Sequence, residues 1–332
     1  MQPDSYPPYA PPVEQHPLRV PVRRDRGPAI HILLFAATFL TAALQGALHE
    51  GVDVFADPLT VTAGFPFAIT LLTILLFHEL GHYFLARVHH VDTTLPYFIP
   101  APPFFLAGTF GAFIRIRTLP PDRRALFDIG AAGPWAGFVI AVPAVIFGLQ
   151  QSEVVPLDTS QGGWILGDSL LFSALVRLVL GVSSSEATIL IHPVALAGWF
   201  GLFVTSLNLL PVGQLDGGHV MYAVFGRHHR WISRGVLTFM IVLGMGGWAG
   251  WFVWAFLLVV LGLNHPRPSD PSTPLDRRRL VAAAATLVVF VLTFMPEPLA
   301  LVEPRAPVLI HHGGGVPIEA TQPERHGMII PL

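Results

Sequence analysis

His78, Glu79 and His82 fall within five positions in the pattern HExxH. On a helix a spacing of four sets the two imidazoles on one face a turn apart, so that both reach one Zn²⁺ at about 2.0–2.1 Å. Glu79 stands beside them and can accept a proton from a zinc-bound water, which is the chemistry of metal-assisted peptide hydrolysis. Such a site, holding one Zn²⁺ per chain, needs a third protein ligand and leaves the fourth position to water. The chain has no cysteine, so that ligand is His, Asp or Glu. The best-placed candidate is Asp216, in NLLPVGQLDGGHV. Pro211 on one side and Gly217-Gly218 on the other are expected to break the helix there and let the carboxylate bend to the metal.

Other polar groups rank behind these. Asn208, two turns before Asp216, is polar within an apolar stretch, and can either hold a substrate carbonyl or tie down a helix break. His219 follows Asp216 by three residues and could support the ligands from behind, whereas His192 lies too far along its helix to reach the metal. His89, His90, His228 and His229 fall beyond helix ends, where an interfacial position is expected.

The elements that position these residues are apolar helices. Only 12% of the 332 residues are charged, 52% are hydrophobic and the mean hydropathy is +0.60, whereas soluble domains are about a quarter charged. Apolar blocks at 29–48, 65–88, 128–149, 188–211, 232–246, 248–263 and 280–295 predict an all-α polytopic membrane protein of about seven transmembrane helices. Residues 1–28, with eight prolines, read as a disordered tail and not as a secretory signal; 29–295 form the transmembrane domain, with a core at about 65–220, and 296–332 a C-terminal tail.

All 19 basic residues are arginine. With a cytoplasmic N-terminus, sixteen of them lie inside and only Arg177, Arg305 and Arg325 outside, as the positive-inside rule requires. That count holds only if the apolar block 165–182 does not cross, so it is expected as an interfacial or re-entrant helix. The same topology brings the end of the 188–211 helix to the face approached by HExxH.

Between the second and third spans, residues 89–127 are too rich in proline for a helix. The run TFGAFIRIRTL alternates Phe113, Arg115 and Arg117 with Ile114 and Ile116, which predicts a short membrane-associated strand around 109–117. Its backbone near Ile114 and Ile116 could receive an unwound substrate segment by edge pairing. In the third span Gly130, Gly133 and Gly137 form a small-residue row that permits close helix packing.

FHELGHY (77–83), GAAGPWAGF (130–138) and NLLPVGQLDGGH (208–219), in this order, resemble the site-2 protease family of intramembrane zinc metalloproteases, peptidase family M50. The stretch from LPYFIPAPPFF to GTFGAFIRIR is similar to the branch that includes plastid and related bacterial members. The resemblance implies a three-helix catalytic core, zinc on His78, His82 and Asp216, Glu79 as general base, and transmembrane proteins as substrates cut within or near the bilayer in regulated intramembrane proteolysis. It departs from many members in having Leu209 where they have a second proline. It also has only about 38 residues, 150–187, where many bacterial members hold a PDZ domain. The expected setting is a bacterial cell membrane, with lipid and membrane proteins as partners and no nucleic acid. The alternatives are a polytopic metal-binding transporter or a non-proteolytic member of the same fold. A transporter would string ionisable groups through both leaflets, while an inactive member would have lost Glu79 or a ligand.

Overall fold

In the computed structural model, residues 27–102, 105–155, 163–183, 188–302 and 328–331 are described. Most of the expected N-terminal tail lies outside them. The helices are α1 (Ala29–His49), α2 (Phe65–Val88), α3 (Arg123–Leu149), α4 (Leu170–Leu180), α5 (Pro193–Asn208), α6 (Asp216–Phe225), α7 (His229–Gly246), α8 (Gly250–Leu261) and α9 (Arg277–Thr293). The strands are β1 (Tyr97–Pro100), β2 (Thr109–Phe113), β3 (Glu153–Val155), β4 (Gly163–Leu166), β5 (Thr188–Leu190), β6 (Leu299–Val302) and β7 (Met328–Pro331).

Local chemistry sets the boundaries near the site. The Asp122 carboxylate accepts from the Ala125 amide at 2.8 Å and starts α3, and Asp276 caps α9 in the same way at 3.0 Å. Ser169 caps α4, which stops after 11 residues at Gly181 in a left-handed conformation (φ 71°). At 1.5 Å per residue this helix is about 16 Å long, half the hydrocarbon thickness of about 30 Å. The 165–182 block therefore holds one helix of 11 residues, shorter than the block itself.

Helices α2, α3 and α5 pack on one another around Trp199, Phe67, Leu71, Ile74 and Val145, with α4 closing the core through Phe172. Glycine permits the closest approaches. A methyl on Gly81 of α2 would fall 2.5 Å from the Ala132 carbonyl oxygen of α3, and one on Gly148 would fall 2.1 Å from the Ala195 amide nitrogen of α5.

Among the described residues, three helical segments are long and apolar enough to cross a membrane: Ala29–His49, Pro58–Val88 (a 3-10 turn running into α2) and Arg123–Leu149. The expected fourth span, 188–211, is shorter than its apolar block. Its first residues form β5, His192 caps the helix start through Nδ1, and α5 runs only 16 residues to Asn208. Apolar composition alone does not separate a buried strand from the first turn of a helix.

The hairpin β1–β2 is antiparallel, with a register shift between Phe98 and Pro100, where proline lacks an N–H for the ladder. The strand expected over 109–117 ends at Phe113, so Ile114 and Ile116 lie beyond it. A second sheet has the order β3-β5-β7-β4-β6, antiparallel except where β5 meets β7. Strands β6 and β7 come from the stretch expected as a C-terminal tail. Their pairing with β4 over four residues each is a long-range match that no local pattern announces.

Candidate metal centre

Helix α2 carries His78, Glu79 and His82, all buried within the protein. Asp216 arrives from a separate helix. Helix α5 stops at Asn208, residues 209–215 turn around Pro211, and Asp216 is the first residue of α6. Gly217 and Gly218 do not break the helix, contrary to the expectation from sequence. They lie inside α6, where a methyl on Gly217 would fall 2.0 Å from the Leu209 carbonyl oxygen and one on Gly218 2.5 Å from that of Gly213. Their role is to let α6 sit directly on the turn that delivers Asp216.

The three donor atoms form a nearly equilateral triangle. His78 Nε2 and His82 Nε2 are 3.2 Å apart, and Asp216 Oδ2 is 3.2 Å from the first and 3.3 Å from the second. Bonds of about 2.0–2.1 Å from a tetrahedral zinc give donor-to-donor edges of about 3.3 Å. The donor set therefore matches a tetrahedral ion in both chemistry and spacing, and it is the one cluster of three or more metal-binding side chains among the described residues. His82 Nδ1–H donates to the Ile129 carbonyl at 2.7 Å, which leaves the Nε2 lone pair free for a metal.

Glu79 lies within electrostatic reach of all three donors, and its carboxylate faces the backbone amide of Ile114. The segment after β2 thus reaches the site although it has left the strand. Arg115 uses its carbonyl and amide on Thr94, and the Arg117 amide bonds the Asp92 carbonyl at 2.8 Å. Backbone groups alternate between edges along an extended chain. Ile114 and Ile116, two residues apart, therefore direct their amides to the opposite edge, on which Ile114 meets Glu79. The Asn208 side-chain amide lies 3.3 Å from His78 Nε2, beside the candidate ligands and at the end of α5.

The glycine row of α3 packs closely on the helices that carry the candidate ligands, α2 and α6, and meets each of them at a histidine. A methyl on Gly130 would fall 2.6 Å from His219 Cβ, on Gly133 2.1 Å from His82 Nε2, and on Gly137 3.3 Å from His78 Cβ. Each glycine makes room for one histidine, two of them candidate ligands. His89 pairs with Asp128 at 2.8 Å, and Arg279 of α9 grips the same carboxylate through Nε and Nη2. His229, expected at an interface, is buried at the start of α7 beside Ser233. His265 escaped the sequence reading: it stands outside any spaced motif, yet its Nε2 lies 2.5 Å from His219 Nδ1.

The chain belongs to peptidase family M50, whose model matches residues 66–264 and so takes in every residue of the centre. It is similar to the probable zinc metalloprotease EGY1, chloroplastic, of Arabidopsis thaliana, at 34% identity over 249 residues, covering 71% of this chain and 43% of that protein. The rice (Oryza sativa subsp. japonica) protein of the same name is 33% identical over 248 residues, covering 71% and 41%. The probable zinc metalloprotease EGY2, chloroplastic, of Arabidopsis thaliana is 28% identical over 242 residues, covering 71% and 42%. The chain spans less than half the length of these relatives.

Proposed function

We propose that this protein is an intramembrane zinc metalloendopeptidase that hydrolyses peptide bonds in or near transmembrane segments of other membrane proteins. The observation that carries the reading is the triangle of His78 Nε2, His82 Nε2 and Asp216 Oδ2, with a buried glutamate next to it. Family membership and the names of the relatives support it.

His78, His82 and Asp216 would hold the zinc, which when bound lowers the pKa of its water to about 7 and polarises a carbonyl. Glu79 takes the proton from the attacking water and passes it to the leaving amine. The Ile114 amide steadies the Glu79 carboxylate, and the amide edge that continues to Ile116 receives the unwound substrate. The Asn208 amide, next to His78, is placed to hold the carbonyl under attack. Burial of the donors keeps bulk water out of the reacting volume, where fixed charges act most strongly.

The membrane topology that goes with this reading has about seven spans and the arginine-rich end on one side. It is supported by the meeting of Asp216 with the α2 histidines, which a spanning 165–182 segment would have sent to the opposite face. The relatives' names place them in chloroplasts, so the expected bacterial membrane finds no support among them.

The test is Glu79→Gln in the full chain. Zinc should stay near one per chain while cleavage of a transmembrane substrate falls at least about 10²-fold. Undiminished cleavage overturns the role of Glu79, and a chain that never retains zinc overturns the site.

A further inference from the structure

A cavity of about 700 Å³ opens between the end of α6, the start of α7 and the loop 264–271. Four arginines and three histidines line it, with no aspartate or glutamate. Arg123 is committed to the fold, since its Nε and Nη2 donate to the Ala223 and Val224 carbonyls that end α6. Arg227, Arg230 and Arg267 are exposed, and the ion pairs seen among the described residues lie elsewhere, on Arg117 and Arg279. Asp270, one residue from the lining, turns its carboxylate to Ser272 and Thr273. Two of the histidines are held toward the neutral form: burial pushes His229 down, and burial with the neighbouring His219 pushes His265 down to about 3. Four guanidiniums around one concave volume repel each other and focus a positive potential into it. An anion in the cavity would relieve that repulsion.

We propose that this cavity is a binding site for a phosphate group. Guanidinium forks match phosphate oxygens in geometry and charge, and the volume exceeds what a single water-bridged ion needs. The surroundings favour the phosphate of an anionic lipid headgroup as its source. Trp231 is 59% exposed beside the cavity, with the Arg230 and Arg234 guanidiniums 5.5 Å and 4.8 Å from its ring centre. Exposed Phe239, Val242 and Met245 continue from it along α7 at helical spacing. Arginines and a tryptophan at the level of the headgroups, with an apolar stripe below, form the usual seat of an anionic phospholipid. The membrane reading bears only on the source of the phosphate, and the cavity and its charge stand without it.

The site also touches the metal centre from behind. His265, in the cavity wall, donates through Nδ1–H to the Pro266 carbonyl, so its Nε2 accepts from His219 Nδ1–H. His219 lies one turn after Asp216 on α6 and packs on Gly130. An occupied cavity is thus one hydrogen bond and one helical turn from a candidate ligand.

The experiment uses the full chain in nonionic detergent, with bound lipid read by native mass spectrometry. Phosphatidylglycerol and phosphatidylcholine form one arm, pyrophosphate and ATP the other. Arg227→Gln/Arg230→Gln is compared with Arg277→Gln/Arg278→Gln, an equal loss of charge at exposed positions outside the cavity. Preferential retention of phosphatidylglycerol, weakened about thirtyfold in the first variant and less than about threefold in the second, supports the site with lipid as the source. The same pattern with pyrophosphate or ATP alone supports the site with the phosphate drawn from solution. Equal weakening in both variants, or no selective retention of either class of ligand, overturns it.

Discussion

Gly133 of α3 lies under the His82 imidazole so closely that a methyl group there would fall 2.1 Å from Nε2. The ring cannot retreat, because its Nδ1 is held by the Ile129 carbonyl on the same helix. One helix thus both orients this ligand and leaves it room.

Gly133→Ala should therefore displace His82 and cost the centre its metal, with zinc falling from about one per chain to a small fraction of that. Gly137→Ala, whose methyl would meet His78 at an accommodating 3.3 Å, should keep most of it. Elemental analysis of the purified chains decides. Full zinc in the Gly133 variant would mean that the ring is not a ligand in this pose.

Asn208 separates two roles by kinetics. If its amide holds the carbonyl under attack, Asn208→Ala lowers kcat about 10²-fold, as for loss of a single oxyanion donor, with zinc and thermal midpoint unchanged. If it serves only the end of α5, the midpoint drops and kcat on the surviving fraction is kept.

The amide edge toward Glu79 can be probed through backbone donors. Ile116→Pro removes an N–H from that edge and should slow cleavage of full-length transmembrane substrates at least about tenfold, while Ile116→Val stays near wild type. Arg115→Pro removes the amide that donates to Thr94 Oγ1 at 3.0 Å and should instead loosen the segment itself, lowering stability by about 1 kcal/mol. Normal cleavage by the Ile116→Pro variant would reduce the segment to a cover over the site.

Asp128 joins three elements, accepting from Arg279 of α9 and pairing with His89 just beyond α2. Asp128→Asn leaves the half-buried guanidinium without its bidentate partner and should cost about 1–3 kcal/mol of stability. Thermal unfolding in detergent measures it. Because the carboxylate lies outside the metal triangle, zinc content at low temperature should be unaffected, and its loss there would tie α9 to the centre more tightly than these contacts suggest.

The sequence alone determined that His78 and His82 share a helix face with Glu79 beside them, because the four-residue spacing is a local property of the α-helix. It also singled out Asp216 and Asn208, since polar groups in apolar runs are costly and stand out, and it gave the block 165–182 as an interfacial or re-entrant helix, whose extent of Leu170–Leu180 came from the fold. Tertiary structure decided which atoms meet. Asp216 reaches His78 over 138 positions because α5 ends early and two glycines seat α6 on the turn, and neither feature has a periodic signature. The same holds for the glycine row of α3, whose spacing fits close helix packing and pockets for imidazoles equally well until the neighbouring helix is in place. Ile114 lies outside the strand that its alternation predicted, yet its amide faces Glu79. The direction of a backbone N–H depends on what pairs with the other edge, and that partner, Thr94, lies twenty positions upstream on a chain whose course only the folded molecule sets.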